Sequence, residues 1–167
     1  LFLFISFFYL MLIIGVDNIS FQSTEWLHAG NDRTAPQLGW YFFKNDIWRF
    51  PLGSNPNYGD ELGSSIIFAD TIPILALIFK IFRSLIPDNF QYISLWYFIC
   101  FYLQLFFSFK IIKKFTNSVP YSLVGSFFFL IAPILVIKLA TIPALAGQWT
   151  LLIALYLGLS KKIDQAK

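Results

Sequence analysis

Four stretches of this chain run without a single charged side chain, and each is long enough, or nearly so, to cross a bilayer as a helix. They are Leu1–Val16, Tyr92–Phe109, Tyr121–Ile137 and Ala144–Leu159. A spanning helix needs roughly 20 mostly apolar residues. With the interfacial residues that flank these runs, the spans are expected at 1–16, 92–112, 121–139 and 144–160. The composition leaves little room for another solution. Hydrophobic residues make up 57% of the 167 and charged residues 13%, about half the usual soluble share of roughly 25%. Mean hydropathy is +0.68. Too few polar side chains exist to cover a water-soluble surface. The same arithmetic excludes a disordered chain, a disulfide scaffold and a nucleic-acid-binding domain. The expected class is all-α: a polytopic helical membrane protein, one membrane domain over 1–167, with about four transmembrane helices and further helices in a long first outer loop.

The lone Cys100 lies in an apolar run and has no internal disulfide partner. The chain starts at Leu1 with the apolar run already under way, as expected of a fragment that begins in or just before its first span. A cleaved signal peptide fits poorly, because Gly15-Val16-Asp17-Asn18 after Ile14 is a weak cleavage site.

A fifth apolar segment, Ser64–Phe82, contains Asp70, Pro73 and Lys80. An aspartate at mid-span costs about 2.5–3.5 kcal/mol on insertion scales, and proline interrupts a helix from within. Charge placement decides how to read it. If the segment stays on one side, Lys110, Lys113, Lys114, Lys161, Lys162 and Lys167 all fall on the cytoplasmic side, as the positive-inside rule asks. If it crosses, the lysine clusters face outward. The four-span arrangement is therefore expected, with 17–91 as an outer loop. That loop holds eight of the nine acidic residues and five of the twelve basic ones. It is rich in Trp, Tyr and Phe, and it is expected to carry interfacial helices at about 34–44 and 62–82. Pro36 suits the first turn of the former, and Asp60 and Glu61 precede the latter, where a helix dipole favours acids.

No phosphate-binding loop, dinucleotide fingerprint, zinc motif or nucleophile elbow is present, so any chemistry falls to carboxylates. Asp32, in Gly30-Asn31-Asp32-Arg33, could act as a general base near the membrane surface, or simply cap a helix. Asp60 and Glu61 could hold a divalent cation, or mark a helix start. Asp70 is an ionisable group at or near membrane depth. Arg33, Lys44 and Arg49 could bind a phosphate, pair with nearby acids or meet lipid headgroups. Lys138 could snorkel or face a phosphate. His28 reads as a surface histidine.

The runs Leu38-Gly39-Trp40-Tyr41-Phe42-Phe43-Lys44, Trp48-Arg49-Phe50-Pro51-Leu52-Gly53-Ser54-Asn55-Pro56, Gly59-Asp60-Glu61-Leu62-Gly63-Ser64-Ser65-Ile66 and Asp70-Thr71-Ile72-Pro73 resemble an uncharacterised family of bacterial polytopic membrane proteins. That family is similar to the GT-C superfamily of multispanning glycosyltransferases. The resemblance implies a bacterial inner-membrane enzyme that takes a sugar from a polyprenyl-phosphate donor to an outward-facing acceptor, among membrane lipids. Asp32 matches the acidic position after the first span. The resemblance makes Arg33 and Lys138 candidates for the donor phosphate, and Asp60, Glu61 and Asp70 candidates to shape the site or bind a cation. Pro143-Ala144-Leu145-Ala146-Gly147-Gln148-Trp149 resembles the outer end of a later span, which places Gln148 near the substrate. The sequence departs from the pattern at Ile142 and Gln148, where many members carry histidine. Relatives of this kind are much longer, so the fragment alone is expected to be inactive. The alternatives are a transporter or flippase of lipid-linked glycans, which would need more polar residues inside its spans, and a non-catalytic assembly subunit.

Overall fold

The computed structural model describes residues 1–25, 32 and 34–165, with side chains through residue 160. It is mostly helical. In chain order the helices are α1 (Phe2–Ile14), α2 (Thr34–Asn45), α3 (Pro73–Ile81), α4 (Ile93–Thr116), α5 (Val119–Leu130), α6 (Pro133–Thr141) and α7 (Trp149–Gln165). Two short strands, β1 (Ser54–Asn55) and β2 (Ser64–Ser65), pair antiparallel between α2 and α3, with Ser54 opposite Ser65 and Asn55 opposite Ser64.

The longest helix, α4, organises the rest, and α1, α5 and α7 pack on it. Its head is set by Gln91, whose side-chain carbonyl accepts from the backbone amides of Ile93 at 2.6 Å and Ser94 at 3.4 Å. Its tail closes on Asn117 in the left-handed region, whose amide returns to the Lys113 carbonyl, a helix stop that asparagine tolerates. Pro120 then lies in the first turn of α5, where its missing N–H removes no helical bond. Gly125 lets α5 come close, since a Cβ there would lie 2.7 Å from Ile112 Cδ1. Pro133 and Pro143 each push the residue before them out of the helical region, Ala132 to ψ 123° and Ile142 to ψ 89°, as expected before proline. These two breaks separate α5 from α6 and α6 from α7.

Among the described residues, three segments are long and apolar enough to cross a membrane: Ile93–Thr116, Val119–Thr141 and Pro143–Ser160. The first expected span differs. α1 has 13 residues, about 20 Å of helix, short of the roughly 30 Å hydrocarbon core. It lies antiparallel on α4 through Phe2 against Phe109, Tyr9 against Phe101 and Phe7 against Phe98.

The segment between α1 and α4 packs on the head of α4. Gln91 reaches back to the Ser20 carbonyl at 2.5 Å, and the Tyr92 hydroxyl donates to the Thr71 carbonyl. Its small core is aromatic. Trp40 meets Tyr92 edge-on with ring centroids 5.1 Å apart, and Phe79 stacks on Tyr92 at 5.5 Å. The Trp40 indole donates to the Phe90 carbonyl at 2.9 Å.

The helix expected over 62–82 is only partly there. The chain is a hairpin strand at Ser64–Ser65 and a turn at 66–72, and α3 begins at Pro73. Gly63, Asp70 and Ile72 all have positive φ, which a helix excludes. Pro73 sits in the first turn of a helix and does not break one from within. At nine residues α3 is about 14 Å long, too short to cross a bilayer.

Gly39 of α2 is the closest approach between the α2 face and this turn. A Cβ there would lie 2.4 Å from Thr71 Cγ2 and 2.5 Å from Ala69 Cβ. Thr71 is fully buried and its hydroxyl bonds the Ile66 carbonyl at 2.6 Å, so it has no room to yield. Gly39→Ala should cost about 1–3 kcal/mol through overpacking, read as a lower melting temperature of the detergent-solubilised protein.

Candidate functional site

The acids of the 17–91 segment stand at the head of α4, and the lysines of α4 stand at its tail. Lys113 and Lys114 occupy the last turn of that helix. The Lys114 ammonium bonds the Ser160 hydroxyl of α7 and lies 4.5 Å from the centroid of the Tyr156 ring. The ends of α4 and α7 therefore meet. The 24 residues of α4 separate the two charge zones by about 36 Å.

At the acidic end, the turn at 66–72 places Asp70 where the Asp32 charge acts on it. Backbone bonds from Ala69 to the Ser65 carbonyl and from Thr71 to the Ile66 carbonyl, both 3.1 Å, close that turn. It carries two left-handed residues, Asp70 at φ 51° and Ile72 at φ 53°. For a β-branched residue that conformation is a real strain, held here by burial of Ile72 and Thr71. Strain of this kind collects at sites where side-chain placement matters. Asp70 is half-buried, and Asp32 is exposed at the entrance to α2. Burial pushes the Asp70 carboxyl above its ordinary pKa, and the Asp32 charge pushes it the same way. Neighbouring carboxylates hold a proton more tightly than either would alone.

The other expected site residues are more dispersed. Asp60 and Glu61 are exposed in the turn between β1 and β2. Among the described residues no group of three or more His, Cys, Asp or Glu side chains could hold a metal ion, so Asp32, Asp60, Glu61 and Asp70 are not gathered around a cation. Lys138 is half-buried on α6. Bonds from Tyr97 to the Leu139 carbonyl at 2.6 Å and from Trp96 to the Pro143 carbonyl at 2.7 Å hold this part of the chain against the head of α4. Gln148 follows at the bend before α7, beside Trp149, whose ring lies 6.4 Å from that of Trp96. Lys138 and Gln148 thus share the acidic end of the bundle without touching the Asp32–Asp70 pair. Arg33, with His28, lies outside the described residues.

Two of the remaining cations serve the fold. Lys44 donates to the Asp88 carbonyl and lies against the Tyr41 ring. Lys80 donates to the Ile47 carbonyl at 3.3 Å and sits 3.7 Å from the centroid of the Phe43 ring. Burial lowers the pKa of both ammonium groups, against the pull of Asp88 on Lys44 and of Asp46 on Lys80. Arg49 pairs with Asp46 at 3.3 Å. Burial works to raise the Asp46 pKa, but the Arg49 bond and the Ile47 amide leave it below the usual carboxylate range. Sequence reasoning missed Gln37. It is nearly buried, and its side-chain carbonyl has no partner among the described residues, a state that costs about 1–3 kcal/mol where it goes unmet. Its one sequence signal is helical spacing, one turn before Tyr41.

A family model described as "Domain of unknown function (DUF6311)" matches residues 3–167. The chain belongs to this family. Neither the comparison with curated proteins nor that with solved structures gives a match. The strained turn at 66–72 and the close Gly39 contact are thus features of a DUF6311 chain.

The pair carries its own pH test. With its pKa raised, Asp70 binds its proton more tightly in the folded than in the unfolded state. It favours folding below the ordinary 3.8 and opposes it once the pH passes the raised value. Asp70→Asn removes that opposition, and asparagine suits the left-handed backbone. The variant should melt higher than the parent at neutral pH, and the gain should vanish toward about pH 3.5.

Proposed function

We propose that this chain forms part of a membrane-embedded glycosyltransferase of the GT-C kind, in a bacterial inner membrane. In this reading α4, α5 with α6, and α7 cross the bilayer, the shorter α1 lies beside α4 as a fourth membrane segment that spans a locally thinned bilayer, and 17–91 is on the outer face. The observation that carries the reading is the strained turn that holds Asp70 at the acidic end of an apolar bundle, under the influence of the Asp32 charge. The resemblance of the outer-loop motifs to that superfamily supplies the reaction class.

The chemistry follows from the pair. An acceptor hydroxyl attacks the anomeric carbon of the donor. The bond from that carbon to the phosphate oxygen breaks, and the polyprenyl phosphate leaves with the electron pair. The acceptor loses a proton, and Asp32, exposed and beside a second carboxylate, takes it as general base. Lys138 and Arg33 would face the negative charge that develops on the leaving phosphate. Gln148, at the outer bend before α7, would hold a sugar hydroxyl. Asp60 and Glu61 would act at the edge of the site, with a divalent cation only if the substrate's phosphate supplies further ligands.

Transport of a lipid-linked glycan is the second reading; the buried serines of α4 and α5 speak against it, and among the described residues of α1 and α4 only the Ser6 hydroxyl and the Gln104 carbonyl are left buried without a partner. The hydroxyls of Ser108, Ser122 and Ser126 bond carbonyls of their own helices, and so are spent locally and do not line a polar path.

In the full-length protein, Asp32→Asn should lower sugar transfer by about 10²–10⁴-fold, the usual worth of a positioned base, with expression and melting temperature preserved. Transfer at the parental rate would remove Asp32 from the mechanism.

A further inference from the structure

α2 presents two faces to the 17–91 segment. Gly39 packs on the Asp70 turn, while Gln37 and Tyr41, one helical turn apart, face the 88–90 turn that precedes α4. Between that second face and the turn lies a cavity of about 250 Å³, lined by Thr24, Gln37, Trp40, Tyr41, Asp88 and Asn89, with Phe90 behind them. It sits at the acidic end of the bundle, and Tyr41 and Asp88, both exposed, stand at its rim.

We propose that this cavity binds a single neutral sugar ring. The proposal deepens the transfer reading and rests on it for the ring's role, as the sugar of a glycan acceptor. Four observations converge. The volume falls just under the range of about 300–1,000 Å³ taken by drug-sized ligands, which suits a body the size of one pyranose. The walls are aromatic, and an aromatic face attracts the polarised C–H groups that one side of a pyranose presents. The rim groups are an amide, a hydroxyl and a carboxylate, from Asn89, Thr24 and Asp88, which match the donors and acceptors of sugar hydroxyls. Finally, Gln37 is only 6% exposed, lines the cavity, and holds a side-chain carbonyl oxygen that has no partner among the described residues. A hydroxyl donated from within the cavity would satisfy that oxygen.

Other ligand classes fit less well. An acyl chain would leave the nearly buried Gln37 carbonyl facing hydrocarbon, where an unpaired polar group is penalised. A phosphate would meet the Asp88 carboxylate, and the ammonium of neighbouring Lys44 is already engaged by the Asp88 carbonyl and the Tyr41 ring.

The test is equilibrium binding by saturation-transfer NMR to the full-length protein in detergent. The probes are glucose, galactose, mannose, N-acetylglucosamine and rhamnose, with inorganic phosphate and a short-chain alkyl alcohol as counter-probes. At least one sugar should bind saturably. Tyr41→Ala, at an exposed position, and Gln37→Met should each weaken it about tenfold or more, roughly the worth of one good contact. Asp32→Asn should leave sugar binding intact while transfer falls. If Gln37→Met does not fold, Tyr41→Ala alone decides. The proposal is overturned if no sugar binds the folded protein, if both variants bind as the parent does, or if only phosphate or the alkyl probe competes at the site. Loss of sugar binding with a strong Asp32→Asn effect sinks the cavity and spares the transfer reading. Intact sugar binding with no Asp32 effect does the reverse.

Discussion

One uninterrupted apolar helix, with its charges kept at opposite ends, sets the geometry of everything else. α4 carries no charged residue until Lys110, and its tail lysines lie where α7 ends. Its head is capped by Gln91 and covered by the 17–91 segment, which carries eight of the nine acids. In the proposed membrane reading, a hydrocarbon core would exclude both kinds of charge and leave them on its two faces. The head of α4 thereby becomes the one place where carboxylates, aromatic cavities and strained turns can gather.

Much of this plan is written in plain sequence signals. The uncharged runs mark α4 through α7 because lipid-compatible length and composition are local properties. Pro133 and Pro143 bend the chain there because the residue before a proline avoids the helical region. The stretch 62–82 was harder to read. Its apolar residues imitate a helix, but Gly63, Ser64 and Ser65 take a hairpin strand, and Asp70 and Ile72 adopt left-handed geometry that no helix permits. Pro73 looked like a breaker and proved to be a start, since proline is neutral in a first turn and costly only further in.

The site is less legible than the fold, for a physical reason. Asp32 and Asp70 are far apart in sequence, and the Asp32 charge acts on Asp70 only once the 66–72 turn is packed on α2 at Gly39. Nothing in the spacing of the two acids encodes that contact. Gln37 is similar: a lone amide on an aromatic helix reads as an ordinary polar residue until packing buries it and leaves its oxygen unpaired. Asp60 and Glu61, the most conspicuous acidic pair, lie exposed in a turn away from the carboxylate pair. An acidic dipeptide is as good a turn as it is a ligand.

The partition of charge across the bilayer is the claim on which the rest depends, and thiol accessibility tests it most directly. Asn57 and Thr116 are both exposed and lie on the acidic and basic sides, while the native Cys100 is fully buried and silent. In intact cells a membrane-impermeant thiol reagent should label Asn57→Cys and spare Thr116→Cys until the cells are opened. Labelling of both from outside, or of Thr116→Cys alone, would contradict the account.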